Sequence, residues 1–500
     1  MVNEKPGHQR PPAGPSWRRR IGLIAGLAVF AVLRVLPPPV AMPAEAWPVA
    51  ALAGLMAVWW VSEAIPVPAT ALLPVLVLPL LGVRDPVAAA APYGNPLIFL
   101  FLGGFLIALA VQRWGLHRRL ALNMLRRVGT SPHALVAGFL AVAAILSMWL
   151  SNTATSIVLL PVALSVAAMV HRSGAAIIDP DTRAAMDAAL LLAIAYGANI
   201  GGLATLIGTP PNALLAGFLL QSTGYSLGFA RWMLFALPVT VILLAATWLV
   251  LTRLAFRIPS VPLPGASATI RAELAALGPV SGPELRVAVV FLAVAGAWLA
   301  RPAVEGLLPG NVVVTDPGIA VAGALALFLL PSGRRPGERL LDWSQARRLP
   351  WGVLILFGGG LSLAGAIGDT GLAAWIANRL TGLADLPLGV IVTGVTATII
   401  MLTELTSNTA TAATFLPLVA ELATRFGHDP LMLAIPATLA ASCAFMLPVA
   451  TPPNAIIYGS GRVTMGQMAW AGIWLNVLAT AVIVTAAFVL LPLVFGVDGG

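Results

Sequence analysis

The sequence is poor in charged and reactive side chains. Only 9% of its 500 residues are Asp, Glu, Lys or Arg, whereas an ordinary soluble domain carries about 25%. The single cysteine, Cys443, excludes a disulfide framework, and the single lysine, Lys5, stands near the beginning of the chain. The alternating strands of an outer-membrane barrel are also missing. With 59% hydrophobic residues and a mean hydropathy of +0.94, the composition predicts an all-α polytopic membrane protein.

Apolar runs that reach or approach the roughly 20 residues needed to cross a bilayer recur throughout the sequence. We predict about eleven transmembrane helices and two further hairpins that enter the membrane and return on the same side. The predicted helices cover residues 21–37, 47–63, 66–82, 96–112, 186–222, 231–252, 286–302, 317–331, 351–367, 431–458 and 468–495, and the re-entrant hairpins cover residues 132–169 and 388–423.

The net charge of +9 and the pI near 11.0 suggest a nucleic-acid partner at first sight, but the positions of the basic residues argue against one. With the spans above, all but six of the 28 Lys and Arg residues fall on one side of the membrane. The six exceptions are Arg34, Arg84, Arg231, Arg301, Arg379 and Arg425. Because an excess of Lys and Arg marks the cytoplasmic side, the sequence predicts an inner-membrane protein with its N-terminus in the cytoplasm and its C-terminus outside.

Two copies of one polar segment stand inside long apolar stretches. Residues 151–155 and 407–411 both read SNTAT, and Pro161 and Pro417 follow them at the same distance. Polar side chains within a bilayer are costly unless they line a cavity or bind a ligand. We interpret the two copies as halves of one site for a substrate and a cation, in a transporter with a two-fold repeat.

The charges around the polar segments predict the topology of the repeat. A straight helix over residues 132–169 would carry the chain outward, yet Arg172 and Arg183 follow it on the predicted cytoplasmic side. A re-entrant hairpin with the polar segment at its tip resolves this conflict. The hairpin at 388–423 enters from the opposite side, which predicts an inverted-topology repeat, a recurrent plan in transporters.

Each hairpin is followed by a helix that is predicted to break at its middle. Residues 209–212 and 451–454 both read TPPN. Two consecutive prolines cannot continue a helix interior, whereas proline is well tolerated in the first turn of the helix that restarts. The carbonyl groups freed before each break can coordinate a cation, and each new helix N-terminus attracts an anion.

The hairpins and broken helices contain no Lys or Arg in their interiors. Ser, Asn and Thr can donate hydrogen bonds to a carboxylate and offer oxygen ligands to a hard cation. Because a dicarboxylate needs compensating charge in a low dielectric, bound Na⁺ is its natural partner. Ser147 and Thr403, four residues before each SNT segment, extend the site on the same helix face. For Glu404 three roles are open: a hydrogen-bond network, a second cation site, or protonation during transport.

The combined motifs resemble the divalent anion:sodium symporter family, in its dicarboxylate branch, over residues 45–495. The resemblance rests on both SNT segments, GTPPN at 208–212, TELTSNTATAATFLP at 403–417 and ASCAFMLPVATPPNAII at 441–457. It implies a homodimer with a scaffold domain and an elevator-type transport domain. By the same resemblance, Na⁺ would bind at Ser147, Ser151, Asn152 and Gly208 and at Thr403, Asn408 and Ala450, and the substrate at Ser151, Asn152, Thr153, Thr209, Ser407, Asn408, Thr409 and Thr451.

The predicted organisation alternates scaffold and transport segments. The segments are a disordered cytoplasmic tail (1–20), first-half scaffold helices (21–131), the first hairpin, broken helix and following span (132–257), a cytoplasmic linker (258–285), second-half scaffold helices (286–387), and the second hairpin, broken helix and last span (388–500).

The sequence predicts a sodium-coupled secondary transporter that imports C4-dicarboxylates such as succinate, malate or fumarate by an elevator mechanism. A sodium-independent dicarboxylate exchanger and a carrier of citrate or sulfate are the alternatives within the family. An intramembrane protease would need a nucleophile with a base or paired aspartates, which the spans lack, so an enzyme is not predicted. Inverted repeats with broken helices also favour alternating access over a channel.

Overall fold

The structure is a computed structural model that describes residues 17–173, 179–259, 266–305, 313–380, 382 and 385–497. These ranges are helical, and the one β-type pairing within them is an isolated bridge between Pro331 and Arg339. The predicted all-α class is therefore confirmed. Most of the predicted tail lies outside the described residues, but Trp17 already begins the first helix, so residues 17–20 are not the disordered tail that the sequence predicted.

Seven helices precede the first polar hairpin. They are α1 (Trp17–Val35), α2 (Ala46–Ser62), α3 (Val67–Thr70), α4 (Leu73–Leu80), α5 (Pro86–Ala90), α6 (Pro96–Arg113) and α7 (Leu116–Arg126), with a 3-10 turn at Ala91–Gly94 between α5 and α6. Helix α1 packs along α2, and α6 packs along a later helix, α15 (Asp316–Leu329).

The first repeat begins with a hairpin of α8 (Pro132–Ser147) and α9 (Asn152–Ser173). Helix α10 (Pro180–Gly201) follows, ends in a 3-10 turn at Gly202–Ala204, and restarts as α11 (Pro210–Thr223). The break predicted at the first TPPN is therefore present. Helix α12 (Phe229–Leu249) leads out of the repeat through a π-helical turn at Val250–Leu254.

The second half has the same order of elements after its own leading helices. These are α13 (Ala266–Ala276), α14 (Gly282–Glu305), α15, α16 (Trp343–Ala346), α17 (Trp351–Asp369) and α18 (Leu372–Arg379). The second hairpin then consists of α19 (Leu388–Thr403) and α20 (Asn408–Arg425), and the second broken helix of α21 (Leu431–Ala441) and α22 (Pro452–Gly459). Helix α23 (Met465–Phe495) ends the described chain.

Two predicted segments have internal structure that the sequence analysis did not anticipate. The span at 66–82 is divided into the short helices α3 and α4, because Pro74, in the first turn of α4, lacks the N–H that would bond to Thr70 in one continuous helix. The linker at 258–285 contains helix α13, whose eleven residues are mostly alanines and other good helix formers.

The surface of the molecule supports membrane embedding. Six helical stretches in the described chain are long and apolar enough to cross a bilayer, and seven further apolar helices have 10–17 residues. Only 28% of the most apolar window of α23 is buried, so most of its apolar side chains face outward. This is the pattern of a multi-pass protein in lipid. Fewer single helices reach spanning length than the eleven predicted, because α2 and α15 have only 17 and 14 residues and the spans at 66–82 and 431–458 are divided.

Two helices form the centre of the fold. In α10 every residue from Met186 to Gly201 is buried, and α21 is buried over its whole length. Helix α10 packs most closely on α8, where glycines replace larger side chains: a Cβ on Gly197 would lie 2.6 Å from the Leu140 carbonyl oxygen, and one on Gly201 would lie 2.3 Å from that of Ala144. Small residues four apart allow this backbone contact, as in other membrane helix pairs.

The two repeats are interleaved rather than side by side. Helix α22 of the second repeat packs on α9 and α10 of the first, and α11 of the first repeat packs on α20 and α21 of the second. Each broken helix therefore restarts against the other repeat, which brings the four polar motifs of the sequence together.

We expect Gly201→Val to destabilise the protein, because the new side chain would meet the α8 backbone, which cannot move aside as a flexible side chain could. The apparent melting temperature in detergent should fall by about 5 °C or more. Gly296→Val is the matched control, since Gly296 is an exposed glycine of α14 whose added Cβ would meet nothing within 4 Å. Equal melting temperatures for the two variants would contradict the predicted packing.

Candidate substrate and cation site

Four helix N-termini border one cavity of about 1000 Å³. Helices α9 and α20 begin at the asparagines of the two SNT segments, and α11 and α22 begin immediately after Thr209 and Thr451 of the two TPPN segments. All four starts contribute residues to the cavity lining. Since a helix N-terminus carries partial positive charge and free N–H groups, the arrangement favours an anion in the cavity.

Ten of the predicted site residues line this cavity. They are Ser151, Asn152, Thr153, Gly208, Thr209, Ser407, Asn408, Thr409, Ala450 and Thr451. Ser147 and Thr403 do not line it and instead stand behind the two asparagines, each donating a hydrogen bond from its hydroxyl to the side-chain oxygen of Asn152 or Asn408. The structure thus brings together every residue that the sequence grouped into the site.

In the first repeat, oxygen atoms cluster behind Asn152. Ser147 Oγ contacts Asn152 Oδ1. A Cβ built on Gly202 would lie 3.0 Å from Asn152 Oδ1 and also 3.0 Å from the carbonyl oxygen of Gly208, so these two oxygens flank the same point. A hydroxyl, an amide oxygen and a backbone carbonyl are neutral, hard ligands of the kind that suit Na⁺.

The second repeat builds a similar cluster behind Asn408. Thr403 Oγ1 lies 2.8 Å from Asn408 Oδ1 and 2.8 Å from the carbonyl oxygen of Ala441, the last residue of α21. Ala450 occupies the position before TPPN that Gly208 has in the first repeat. The two clusters therefore share their chemistry, with Thr in place of Ser and Ala in place of Gly.

The asparagine of each TPPN segment holds the broken helix together. Asn212 Nδ2 donates to the carbonyl oxygens of Gly202, at 3.2 Å, and Thr205, at 2.8 Å. Asn454 Nδ2 donates in the same way to Ala444, at 3.2 Å, and Leu447, at 3.1 Å. Both asparagines are fully buried. The side-chain amides thus satisfy carbonyl groups that lost their helical partners at the break.

The charge of the cavity is confined to three of its lining residues, Arg19, Glu63 and Arg348. Arg348 is exposed, and Arg19 and Glu63 form a loose, solvent-accessible pair at 3.8 Å. The residues of the SNT and TPPN segments carry no formal charge. An anion bound among them would therefore depend on helix N-termini and on any cation bound beside it.

Glu404 forms a hydrogen-bond network, one of the three roles that the sequence left open. Its side chain is buried, and Oε1 accepts from the backbone N–H of Phe445 at 2.7 Å and from Asn476 Nδ2 at 2.9 Å. The N–H groups of Met446 and Leu447 also donate to this carboxyl group. Glu404 thus accepts hydrogen bonds from the backbone N–H groups of the extended segment that precedes the second TPPN.

Sequence reasoning missed two polar residues that connect the repeats. Asn199, on α10, contacts Asn152 and Thr451, and Ser442, after α21, lies with its Oγ 3.4 Å from Thr209 Oγ1. Neither belongs to a repeated motif, so the search for repeats passed over them. The signal was an uncharged polar side chain in an otherwise apolar segment, which is costly in a membrane without a partner.

A family model named for the sodium:sulfate symporter transmembrane region matches residues 18–496, nearly the whole described chain. The paired SNT and TPPN motifs stand inside this match and meet at one cavity. The chain belongs to the divalent anion:sodium symporter family. As a member of this symporter family it is a multi-pass membrane transporter and not an enzyme.

Relatives in the symporter family include sodium-dependent dicarboxylate transporters. The SdcS proteins of Staphylococcus aureus (strain USA300) and of Staphylococcus saprophyticus are each 40% identical to this chain over 479 residues. The matched region covers 96% of this chain and 92% of each SdcS protein. The similarity therefore extends over the helices outside the motifs as well as over the motifs themselves.

Two solved transporter structures have a similar fold. Neisseria gonorrhoeae MtrF, described with a class of antimetabolite efflux pumps, has a TM-score of 0.54 at 12% identity and covers 96% of this chain and 95% of its own. The Alcanivorax borkumensis YdaH transporter, described as having an unusual topology, has a TM-score of 0.53 at 15% identity, with 96% and 97% covered. At these identities the likeness concerns the fold alone.

We expect Glu404→Ala to destabilise this symporter by about 3 kcal/mol or more, because it leaves the buried Phe445 N–H and Asn476 amide, and two partly buried N–H groups, without this acceptor. Glu404→Gln, which keeps one acceptor oxygen, should cost less. Thermal unfolding in detergent measures the difference. The matched control is Glu421→Ala on α20, whose carboxylate pairs with Arg425 near the surface and should matter little. Equal stability of the Glu404→Ala and Glu421→Ala variants would contradict the role of this network.

Proposed function

We propose that the protein imports C4-dicarboxylates, such as succinate, malate or fumarate, together with Na⁺ across the cytoplasmic membrane. The observation that carries the proposal is the meeting of two SNT and two TPPN segments at one cavity whose interior has no fixed charge. The similarity to sodium-dependent dicarboxylate transporters supports both the anion and the cation. Each of the two SNT segments can bind one carboxylate, so the pair suits a substrate that has two carboxylates.

The proposed substrate contacts are the polar residues at the four helix starts. The substrate carboxylates would meet Ser151, Asn152, Thr153, Thr209, Ser407, Asn408, Thr409 and Thr451. The hydroxyl and amide groups of these residues can donate to a carboxylate while their backbone N–H groups contribute the helix N-terminal field. The two-fold similarity of the donors supports a substrate that is itself nearly symmetric.

The proposed sodium sites stand behind the two asparagines. The first consists of Ser147, Ser151, Asn152 and Gly208, and the second of Thr403, Asn408 and Ala450. Cations there would neutralise the two substrate charges without an arginine or lysine. Because Asn152 and Asn408 have one oxygen and one NH₂ group each, they can face a cation with the oxygen and the rest of the polar network with the NH₂ group. This dual contact would couple binding of the cation to binding of the anion.

We further propose an elevator mechanism in a homodimer, in which the transport segments 132–257 and 388–500 move as one unit against the scaffold helices. The interleaved packing of the two repeats supports a single moving unit. An apolar cavity of about 140 Å³ at the contact of α6 and α14 with the first hairpin, lined by Ile107, Trp149, Ile207 and Phe291, supports a loosely packed boundary. Arg19 and Arg348 at the cavity rim, both on the predicted cytoplasmic side, support an inward-open state.

Uptake into proteoliposomes tests the function. We expect radiolabelled succinate to accumulate only when Na⁺ is higher outside, in vesicles without internal substrate, and unlabelled malate and fumarate to compete. Uptake that ignores Na⁺ but requires internal dicarboxylate would overturn symport in favour of exchange. Competition by citrate or sulfate, but not by malate, would overturn the assigned substrate class.

We expect Asn152→Ala and Asn408→Ala each to lower sodium-driven succinate uptake by about 100-fold or more, because each removes a contact to both the cation and the carboxylate. Both variants should keep the elution profile of the wild type in detergent, since both side chains face a cavity and pack little apolar surface. Asn123→Ala is the control, because that asparagine bonds only to Arg119 O on α7. Uptake at the wild-type rate by either site variant would refute the assignment.

A further inference from the structure

Asn199 stands where the two repeats meet. It lies on α10, lines the site cavity and yet has only 1% of its surface exposed. Its Oδ1 faces Asn152 Nδ2 at 3.4 Å, and its Nδ2 faces Thr451 Oγ1 at 3.1 Å and Asn454 Oδ1 at 3.4 Å. One side-chain amide therefore connects the first SNT segment to the second TPPN segment.

The first contact of Asn199 fixes which way the Asn152 amide points. An amide has an acceptor end and a donor end, and its surroundings decide their orientation. With Asn199 Oδ1 accepting from Nδ2 of Asn152, the Oδ1 atom of Asn152 turns toward Ser147 and the Gly208 carbonyl. A cation needs this orientation, because the reverse one would present N–H groups to it.

The second contact of Asn199 reaches the restart of the second broken helix. Thr451 caps α22 by accepting from the Asn454 N–H, and it also lines the cavity. Asn199 donates to Thr451 Oγ1 and so holds the hydroxyl at the position that a substrate carboxylate would meet. If the Asn152 amide turns toward a bound cation, its hydrogen bond to Asn199 changes. Asn199 in turn contacts Thr451, so the change reaches the Thr451 hydroxyl through one side chain.

The connection in the other direction is different. Ser442 Oγ lies 3.4 Å from Thr209 Oγ1, but no hydrogen bond from Ser442 to Asn408 is present in the described residues. Ala441 precedes the second TPPN at the distance at which Asn199 precedes the first, and alanine has no amide. Asn454 Oδ1 accepts from Asn199, whereas the matching atom, Asn212 Oδ1, is buried without a hydrogen-bond partner in the described part of the chain. The Asn212 oxygen lacks a donor because Ala441, at the position that matches Asn199, has no amide.

We infer that Asn199 is a positioning residue that couples the first sodium site to the substrate contacts of the second repeat. The inference rests on the proposed function, and it makes the two sodium sites unequal. Sodium at Ser147, Asn152 and Gly208 acts on Thr451 through Asn199, whereas Ser442, which contacts Thr209, has no hydrogen bond to Asn408 in the described residues. The contact at 3.4 Å is long for a hydrogen bond, so it has room to shorten when the Asn152 amide turns.

The test measures coupling rather than activity alone. Succinate binding to the purified protein is titrated at several Na⁺ concentrations, and binding of radioactive sodium is titrated with and without succinate. By linkage, both experiments give the same coupling factor. Asn199→Leu keeps the size of the side chain and removes its hydrogen bonds. It should lower the coupling factor about fivefold or more and reduce the Hill coefficient for Na⁺, while uptake at saturating Na⁺ and succinate falls less than threefold.

Two further variants make the outcome decisive. Thr438→Val is the matched control, because it removes a buried hydroxyl of α21 that bonds only to Ala434 O within its own helix. Its coupling factor should equal that of the wild type. Asn199→Ser keeps a hydroxyl that can both donate and accept, and it should restore part of the coupling even if Asn199→Leu does not fold.

The outcomes separate the inference from the proposed function. Sodium-dependent binding in the wild type, with an unchanged coupling factor in folded Asn199→Leu and Asn199→Ser, would overturn the inference alone. Succinate binding that is independent of Na⁺ in the wild type would overturn the proposed symport and the inference with it. An equal loss of coupling in Thr438→Val would also overturn the inference, since it would show a general effect of removing buried polar groups.

Discussion

The requirement that backbone groups in a membrane find hydrogen-bond partners governs this structure. Two helices break inside the apolar core, and the carbonyl groups on the leading side of each break lose their helical donors. Asn212 and Asn454 supply those donors from their side chains, and in the second repeat Glu404 accepts from the N–H groups of the extended segment. Because the backbone groups at the breaks have these hydrogen-bond partners, the four helix N-termini can border the cavity while their helices remain folded.

The same constraint explains why the site is neutral and why it is symmetric only in part. Side-chain amides and hydroxyls serve both the backbone and a ligand, so a fixed charge is not needed to build the cavity, and its charged lining residues are confined to Arg19, Glu63 and Arg348. The repeats share the SNT and TPPN segments but differ in the polar side chains that contact them. Glu404 belongs to the second repeat alone. Asn199 bonds to both the first SNT segment and the second TPPN segment, whereas Ser442 contacts only the first TPPN segment.

Much of the site could be predicted because its residues stand in repeated motifs with known backbone consequences. Paired prolines must end a helix interior, and polar residues in an apolar stretch must face partners, so the breaks at 209–212 and 451–454 and the hairpin tips followed from local rules. Asn199 and Ser442 did not, because their importance depends on which helix of the other repeat lies opposite them. The divided helix at 66–82 was missed because hydrophobicity alone does not register the missing donors of prolines.

The account makes one central claim, that the two SNT segments form a single site in which Na⁺ neutralises a dicarboxylate. A structure determined by electron cryo-microscopy with saturating Na⁺ and succinate tests it most directly. The account predicts succinate density between Asn152 and Asn408, with separate cation peaks beside Ser147 and Thr403. Succinate bound elsewhere, or bound between the two asparagines with no cation peak at either cluster, would contradict it.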